Sequence, residues 1–312
     1  MAGSRLRAAV IGVGYLGRHH ARILARLPGV DLVAVVDRSP ERARAVADEV
    51  GANPETDPRA VLDRVEAVVL AVPTRNHGEI VLPFLERGVA VLVEKPIAGT
   101  LAEADEMMEA ARRSGATLAV GHTERYNPAV RVAMPLVSTP RFIEVHRLGS
   151  FPGRSLDVDV VFDVMIHDLD VILALVQSAP VTIEAVGVPV LTGHVDIANA
   201  RVRFADGCIA NLTASRISRD RVRKVRFFQR DAYISIDCAA QEVEAWRVRR
   251  EPGREPAIEG GQVPVVRAEP LEVELIDFVR AVRTRTRPGV NGEDGRRALA
   301  LAQRVAEAMK TG

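Results

Sequence analysis

The sequence predicts an α/β protein built from a parallel sheet and a second, α+β domain. Up to about residue 121, short and almost continuously apolar runs alternate with amphipathic helical segments. That pattern is typical of a parallel sheet covered by helices on both faces. From residue 122 onward, strand-like segments follow one another with few helices between them. Such a succession indicates a large, mostly antiparallel sheet, so we expect domains at residues 1–121 and 122–312.

The first domain is predicted to alternate strand and helix throughout. Its strands are expected at Leu6–Ile11, Leu32–Val36, Ala67–Val72, Ala90–Val93 and Thr117–Val120. Its helices are expected at Arg18–Leu27, Pro40–Glu49, His77–Arg87 and Leu101–Arg113. Ser39 and Thr100 each precede a helix, where a hydroxyl can accept a hydrogen bond from the first free N–H groups.

The second domain is predicted to begin with a strand and a long helix and to continue with consecutive strands. The strand and helix are Arg141–Leu148 and Val160–Val176; the later strands are Val181–Leu191, Ile197–Phe204, Cys208–Ser215, Val222–Phe228, Ala232–Ile236 and Glu242–Val248. Asp206-Gly207 is a hairpin signal. Glu251–Pro264 is predicted to be an exposed loop. Closing helices are expected at Leu271–Thr284 and Asp294–Met309, with the region 271–309 packing back toward the first domain.

Composition and charge exclude several classes of partner. Lysine plus arginine number 42 and aspartate plus glutamate 41, so the net charge is +1. This balance argues against a nucleic-acid partner and against a basic membrane anchor. No apolar run is long enough to span a membrane, and the first strand begins too early for a signal peptide, so we expect a cytoplasmic protein. Cys208 and Cys238 are too few and too far apart for a clustered metal site, and we expect none.

A glycine turn follows the first predicted strand. Gly12-Val13-Gly14-Tyr15-Leu16-Gly17 lies between that strand and a helix, and the next strand ends in Asp37. The three glycines suit a tight turn, close approach to a pyrophosphate and helix packing, while the acid suits a ribose 2′-hydroxyl. We therefore predict a dinucleotide site that prefers NAD, although Arg38 could admit NADP. The alternative is a turn whose glycines only relieve backbone strain.

Glu94-Lys95-Pro96 follows the strand Ala90–Val93 at its carboxyl end. Ligands of open α/β sheets lie beyond that edge, so Lys95 is placed to reach a cofactor or substrate. A partly desolvated lysine can exchange a proton near neutral pH. The alternative is a surface lysine paired with Glu94.

A histidine and an aspartate share one face of the long helix. Asp163 and His167 are four residues apart among apolar neighbours, where polar groups are costly to bury without a partner. One interpretation is a catalytic pair, and the other is a hydrogen-bonded pair that only fixes helix packing. Asp168 and Asp170 are expected to face elsewhere, toward solvent or the domain interface. His19 and His20 on the first helix are expected near phosphates or on the surface.

Taken together, these motifs resemble the Gfo/Idh/MocA oxidoreductase family. The resemblance rests on the glycine turn, Asp37, Val72-Pro73-Thr74 with His77, Glu94-Lys95-Pro96 and Asp163-x-x-x-His167, in that order. It implies hydride transfer between a nicotinamide and a carbon of a sugar, cyclitol or polyol. It also implies a homodimer or homotetramer assembled through the second domain's sheet. Cofactor contacts are expected at Gly12, Gly14, Tyr15, Leu16, Gly17, Asp37, Arg38, Val72, Pro73, Thr74, His77, Glu94 and Lys95.

The resemblance also implies catalytic roles for three residues. His167 would take the proton of the reacting hydroxyl, and Asp163 would modulate His167 or bind a neighbouring hydroxyl. Lys95 would hydrogen-bond the reacting oxygen and the nicotinamide ribose.

The segment before the helix departs from the common family pattern. Leu156–Val160 lacks the glycines that members often carry there, which argues against an inositol substrate. The stretch from Arg154 resembles that of members oxidising the 3-position of a UDP-N-acetylhexosamine. Arg154, Arg125 and Tyr126 are candidate substrate contacts, because a guanidinium can bind phosphate through two hydrogen bonds. A free-sugar or inositol dehydrogenase and a catalytically silent dinucleotide-binding regulator are the alternatives.

Overall fold

The computed structural model describes residues 5–151 and 158–311. The chain divides into two compact units. Unit 1 comprises Met1–His122 and Leu271–Arg296, and unit 2 comprises Thr123–Pro270 and Arg297–Gly312.

Unit 1 contains a parallel sheet of six strands, which confirms the predicted Rossmann domain. The strands are β1 (Leu6–Ile11), β2 (Val30–Val36), β3 (Asn53–Glu55), β4 (Ala67–Leu70), β5 (Ala90–Glu94) and β6 (Leu118–Gly121). Their order across the sheet is β3-β2-β1-β4-β5-β6, and every neighbouring pair is parallel. The chain therefore reverses its direction of winding between β1 and β4, where open α/β sheets bind ligands.

Three helices of the Rossmann sheet begin at the predicted residues, whereas α1 begins and ends three residues before its predicted bounds. They are α1 (Tyr15–Leu24), α2 (Pro40–Val50), α3 (His77–Glu86) and α4 (Leu101–Ser114). The Ser39 hydroxyl accepts from the Arg42 amide, and Thr100 forms a reciprocal capping box with Glu103. Left-handed Gly51 and Gly115 end α2 and α4, because glycine adopts positive φ without strain. Only β3 was not predicted, since it is short, polar and at the edge of the sheet.

Unit 2 contains an eight-stranded, mostly antiparallel sheet. Its strands are β7 (Phe142–Leu148), β8 (Pro180–Val188), β9 (Ile197–Phe204), β10 (Ile209–Ser215), β11 (Val222–Phe228), β12 (Ala232–Asp237), β13 (Glu242–Arg249) and β14 (Ala257–Val263). The order is β14-β13-β12-β11-β7-β10-β9-β8, and β7–β10 is the parallel pair. The predicted Asp206-Gly207 hairpin is confirmed, because β9 and β10 are antiparallel and Gly207 has φ +86°.

The remaining helices are α5 (Pro128–Ala133), α6 (Ile166–Leu175), α7 (Pro270–Thr284) and α8 (Gly292–Thr311). A single π-helical turn, Val161–Met165, precedes α6. Apolar residues of α5, α6 and the later part of α8 form one buried cluster with one face of the eight-stranded sheet. Apolar residues of α7, including Leu275 and Phe278, join the core of the Rossmann sheet.

The second face of the eight-stranded sheet carries a row of aromatic side chains. Phe142, Phe228, Tyr233 and Trp246 occupy paired positions on four neighbouring strands. The ring centroids of Phe142 and Phe228 are 5.5 Å apart, and those of Phe228 and Tyr233 are 5.1 Å apart. All four rings are partly exposed within the chain. We call them the aromatic row.

The structure corrects the prediction of a loop at Glu251–Pro264. Residues Ala257–Val263 form β14, which pairs with β13. The two glycines that suggested a loop lie in this strand with φ +145° and +148°. A Cβ at Gly260 would come within 2.1 Å of the Ala245 carbonyl oxygen, so glycine permits the close approach of the two backbones. Within the described ranges, no helix has both the length and the apolar character needed to cross a membrane.

Candidate active site

The glycine turn joins β1 to α1, and two of its three glycines occupy positions that other residues could not adopt without strain or overlap. Gly12 has φ +83°, and a Cβ at Gly17 would lie 1.7 Å from the Gly12 carbonyl oxygen. At Gly14, by contrast, a Cβ would meet nothing within 4 Å. Gly14 is the N-cap of α1 and makes no side-chain cap hydrogen bond. The turn therefore packs tightly on itself and leaves open space where α1 presents its first N–H groups, which suits a pyrophosphate.

Asp37 lies at the carboxyl end of β2, beside this turn. Its Oδ2 accepts a hydrogen bond of 3.0 Å from the Val13 amide, and its Oδ1 accepts one of 3.0 Å from the Ser39 amide. Arg42 Nη1 is 3.2 Å from Oδ1. These contacts hold the carboxylate at the position where an adenosine ribose is expected. Tyr15 is 66% exposed at the start of α1, and Leu16 and Arg38 are also exposed.

The loop after β4 is braced by a buried histidine. Val72 and Thr74 are partly buried, and Pro73 is exposed. The His77 ring is fully buried, with Nε2 3.0 Å from the Val72 carbonyl oxygen and Nδ1 3.2 Å from the Ile97 carbonyl oxygen. Burial lowers the pKa of His77. Through its two hydrogen bonds, the ring ties the loop after β4 to the loop after β5. A direct contact between His77 and the cofactor stays a prediction.

Glu94 and Lys95 end β5 at the carboxyl edge of the Rossmann sheet. Lys95 is partly buried, and its amide donates to Glu94 Oε2 at 3.3 Å. Glu94 is 6% exposed, and its Oε1 is 2.8 Å from His20 Nε2. Burial opposes ionisation of Glu94, but the hydrogen bond and charge of His20, together with Lys95, hold its pKa below the usual range. Glu94 is therefore an ionised group inside the protein.

The buried contact of His20 with Glu94 was not predicted from the sequence. His20 was expected near phosphates or on the surface, whereas its side chain is fully buried against Glu94. It lies one helical turn after Gly17 and on the same face of α1, toward the sheet. That spacing is the signal that could have identified it.

Asp163 and His167 lie at the junction of the π-helical turn with α6. Both side chains are partly buried, while their apolar neighbours Val161, Met165 and Ile166 are buried. π-Helical turns inside helices are frequent at functional sites. Asp163 lies within this turn, and His167 lies in the first turn of α6.

The acids that follow His167 are buried, which corrects the expectation that they face solvent or the domain interface. Arg147 on β7 donates to both oxygens of Asp168, at 2.7 and 2.8 Å, and to Glu124 at 3.1 Å. Burial raises the pKa of Asp168, and the two guanidinium hydrogen bonds oppose that shift. This network was not predicted, because an arginine on the inner face of a strand resembles a surface residue in sequence.

Two of the three candidate substrate contacts can be located. Arg125 Nη1 is 3.5 Å from the buried Asp170, and the arginine side chain is 11% exposed. Tyr126 is 6% exposed. Arg154 lies outside the described residues. Within those residues, no group of three or more His, Cys, Asp or Glu side chains is placed to hold a metal ion.

A second buried ion pair fixes the backbone just before the π-helical turn. Arg216 Nε is 2.9 Å from Asp196 Oδ1, and Arg216 Nη1 donates to the Val158 carbonyl oxygen at 2.8 Å. Asp196 Oδ2 also accepts from three successive amides, those of Val190, Leu191 and Thr192. The Arg216–Asp196 pair thus joins the end of β10 to the segment that leads into Asp163.

A Rossmann sheet with this glycine turn, an acid after its second strand and a lysine at its carboxyl edge defines an NAD-binding oxidoreductase. Residues 6–122 match the oxidoreductase family with an NAD-binding Rossmann fold, and residues 144–235 match the Gfo/Idh/MocA C-terminal domain. The chain belongs to the Gfo/Idh/MocA family of oxidoreductases, as its sequence motifs predicted.

Individual relatives agree with this assignment. The chain is 36% identical over 309 residues to UDP-N-acetylglucosamine 3-dehydrogenase of Acidithiobacillus ferrooxidans, covering 98% of this chain and 97% of the relative. A solved structure of that enzyme matches with a TM-score of 0.91 and 35% identity, covering 99% of each chain. The scyllo-inositol 2-dehydrogenase (NAD(+)) of Bacillus subtilis is 29% identical over 233 residues, which is 69% of this chain and 68% of that protein.

Proposed function

We propose that the protein transfers a hydride between NAD and a hydroxyl-bearing carbon of a nucleotide-linked sugar, the 3-position of a UDP-N-acetylhexosamine. The observation that carries this substrate is the similarity over nearly the full length of both chains to UDP-N-acetylglucosamine 3-dehydrogenase. Lys95, Asp163 and His167 are present at the positions where the family motifs occur.

In this proposal each of three side chains has a separate task. His167 takes the proton of the reacting hydroxyl, because an imidazole can gain and lose a proton near neutral pH and so suits a general base. Lys95 hydrogen-bonds the reacting oxygen and stabilises the negative charge that develops there. Asp163, one helical turn from His167, orients that imidazole or binds a neighbouring hydroxyl. NAD, when bound, accepts the hydride.

NAD is the proposed coenzyme over NADP because of the charge at the end of β2. A carboxylate accepts a hydrogen bond from a ribose 2′-hydroxyl and repels a 2′-phosphate. Arg42 partly offsets this repulsion from its position 3.2 Å from Asp37. NADP is therefore proposed as a weaker alternative coenzyme.

The substrate contacts proposed from the sequence are Arg125, Tyr126 and Arg154. Arg125 is paired with Asp170. A guanidinium has several N–H donors, so Arg125 could also donate to a phosphate of the substrate. The proposed location of the protein is the cytoplasm.

The decisive experiment compares substrates with and without the proposed lysine. We expect NADH formation with UDP-N-acetylglucosamine and NAD, and none with free glucose or myo-inositol. Lys95→Ala should lower turnover by at least about 10²-fold and leave the Kd of NAD nearly unchanged, since its task concerns the reacting oxygen. Lys224→Ala, which removes a lysine on β11, is the matched control. Near-normal turnover of Lys95→Ala would remove the role given to this residue.

Inositol oxidation is the second candidate because inositol dehydrogenases are among the relatives. Turnover of myo-inositol or scyllo-inositol without turnover of any UDP-sugar would favour it. NAD binding with no turnover of either class would instead favour a regulatory protein that lost catalysis.

We propose that the protein assembles as a homodimer or homotetramer through the aromatic row of the eight-stranded sheet. Four aromatic rings on neighbouring strands offer an apolar contact that a second copy could bury across a two-fold axis. A salt bridge of 2.6 Å between Glu144 and Arg226 lies on the same face and provides polar groups at its margin.

A further inference from the structure

His20 and Glu94 form a buried polar pair next to Lys95. The His20 side chain is fully buried and that of Glu94 is 8% exposed, with 2.8 Å between Nε2 and Oε1. The pair connects α1, whose first turn suits the pyrophosphate, to the last residue of β5. It therefore joins the structural elements on either side of the expected dinucleotide.

The Glu94 carboxylate is held on all sides. One oxygen contacts His20, and the other accepts from the Lys95 amide at 3.3 Å. Glu94 is paired with Gly121 on β6, where a Cβ would come within 3.0 Å of Glu94 Oε2. Glycine on the neighbouring strand thus leaves room for the carboxylate.

A buried pair of this kind is not needed for the stability of the fold, which points to a functional reason for its presence. An ionised carboxylate inside a protein is strongly unfavourable without partners, and apolar side chains of similar volume are often as stable as a buried ion pair. Leu92, two residues earlier on the same strand, is buried in the apolar core. The change from leucine to glutamate along one side of β5 occurs one residue before the proposed catalytic lysine.

We propose that His20 and Glu94 are positioning residues that hold Lys95 in place relative to α1. This inference rests on the proposed catalytic function of Lys95. The imidazole fixes one carboxylate oxygen, and the other oxygen fixes the Lys95 amide, so the direction in which the lysine side chain leaves β5 is set by α1. A displacement of about 1 Å of a catalytic group can lower a rate by about 10²-fold.

The test uses four variants. His20→Leu removes the donor, and Glu94→Gln removes the charge at constant shape. His20→Gln keeps an N–H near the position of Nε2. Leu92→Ala is the control, because it destabilises the same strand by leaving a cavity without touching the pair.

We expect His20→Leu and Glu94→Gln to lower kcat by about 10- to 100-fold with the Kd of NAD changed less than about threefold. His20→Gln should recover most of kcat, and Leu92→Ala should lower thermal stability with kcat per folded enzyme preserved.

A second measurement reports on Lys95 without any substrate. The sequence contains three lysines, Lys95, Lys224 and Lys310. Reductive methylation with ¹³C-formaldehyde keeps their charge and gives few NMR signals, and the Lys95 signal is assigned by its loss in Lys95→Arg. With NAD bound, we expect this signal to shift toward those of the other two lysines in His20→Leu and Glu94→Gln, and not in Leu92→Ala.

The two readouts separate the outcomes. A shifted Lys95 signal in an enzyme that oxidises no UDP-sugar would reject the proposed substrate and support the positioning role. Loss of turnover with an unshifted signal would show that the pair does not act through the position of Lys95 and would overturn the inference. A shifted signal with full turnover would overturn it as well. If His20→Leu does not fold, Glu94→Gln decides by the same criteria.

Discussion

We expect the side chain of Asp37 to determine the preference between NAD and NADP. Its carboxylate is 8% exposed and held by two backbone amides, so its position does not depend on a bound ligand. Arg42 contacts the same carboxylate from an exposed position. We therefore expect coenzyme preference to depend on a negative charge held by the backbone and on an exposed positive charge beside it.

Asp37→Asn should therefore change coenzyme selectivity. Because the neutral amide no longer repels a 2′-phosphate, we expect the ratio of the Kd of NADP to that of NAD to fall at least tenfold, or about 1.4 kcal/mol. Arg42→Ala should raise the same ratio, since the carboxylate loses its counter-charge. Fluorescence titration with NADH and NADPH measures both. Asp31→Asn, at an exposed position on β2, should leave the ratio unchanged, and an unchanged ratio in Asp37→Asn would reject this role.

At this scale the sequence predicted a residue that belongs to a spaced motif, and missed pairs that no motif marks. Asp37 was identified by its spacing from the glycine turn. The Arg147–Asp168 and His20–Glu94 pairs were not, because no motif links the two members of either pair. A buried arginine or histidine has the same sequence signature as an exposed one until its partner is known.

Among the structural elements, the turn between β1 and α1 combines two different requirements for glycine. Gly17 is needed for packing, because a Cβ there would overlap the Gly12 carbonyl oxygen. A Cβ at Gly14 would meet nothing within 4 Å, and its φ of −65° is accessible to other residues, so we propose that glycine there leaves room for the ligand.

Two alanine substitutions should separate these requirements. Gly17→Ala should destabilise the protein by about 1–3 kcal/mol, since the overlap forces α1 to move. Gly14→Ala should fold with nearly normal stability and bind NAD at least about tenfold more weakly, because its methyl group occupies the approach of the pyrophosphate. Thermal unfolding followed by circular dichroism and NAD titration provide the two measurements. Equal loss of stability in both variants would contradict this division.

The segment before the π-helical turn depends on the Arg216–Asp196 pair. Hydrogen bonds from three backbone amides and Arg216 overcome the effect of burial and hold the pKa of Asp196 well below its usual range. An aspartate with a depressed pKa stabilises the fold above its unfolded value of about 3.9 and loses that contribution as the pH falls toward the folded value.

Asp196→Asn should accordingly destabilise unit 2 in a pH-dependent manner. At pH 7 we expect a loss of about 3 kcal/mol, since Arg216 is left buried without its partner, and the difference from the wild type should shrink below pH ~4. Urea unfolding monitored by Trp246, the single tryptophan of the chain, reports on this unit. Asp220→Asn, at an exposed site, is the control. A difference that stays constant with pH would contradict the assignment.

The elements themselves were largely predictable, and the exceptions have physical causes. β1, β9 and β11 have the predicted bounds, since β1 is an almost continuous apolar run and β9 and β11 alternate between buried and more exposed positions. β14 was missed because Gly260 and Gly261 resemble a loop in sequence. In the structure they allow an edge strand to approach β13 closely.

On the scale of the whole molecule, the eight-stranded sheet carries aromatic side chains on the face opposite its buried core. Helices cover one face, and the aromatic row lies on the other. The sequence motifs do not encode this surface, because each aromatic residue alone is compatible with an ordinary exposed strand position.

Phe228→Glu should disrupt the proposed assembly. A carboxylate in the middle of the aromatic row would be desolvated without a partner on association, so we expect a smaller particle at the same protein concentration. Sedimentation velocity measures the mass. Arg230→Glu, in the exposed turn after β11, should keep the wild-type mass. An unchanged mass in Phe228→Glu would place the contact on another surface.

The two cysteines give unit 2 an internal reporter. Cys208 and Cys238 are both buried there, and burial raises the pKa of the Cys208 thiol to about 11 and holds the pKa of the Cys238 thiol well above its usual range. Thiolate is the reactive form, so alkylating reagents should not modify the native enzyme at neutral pH. Labelling that does occur would count transient openings of this half of the chain, and its rate would measure, without any engineered probe, how much a bound ligand suppresses them.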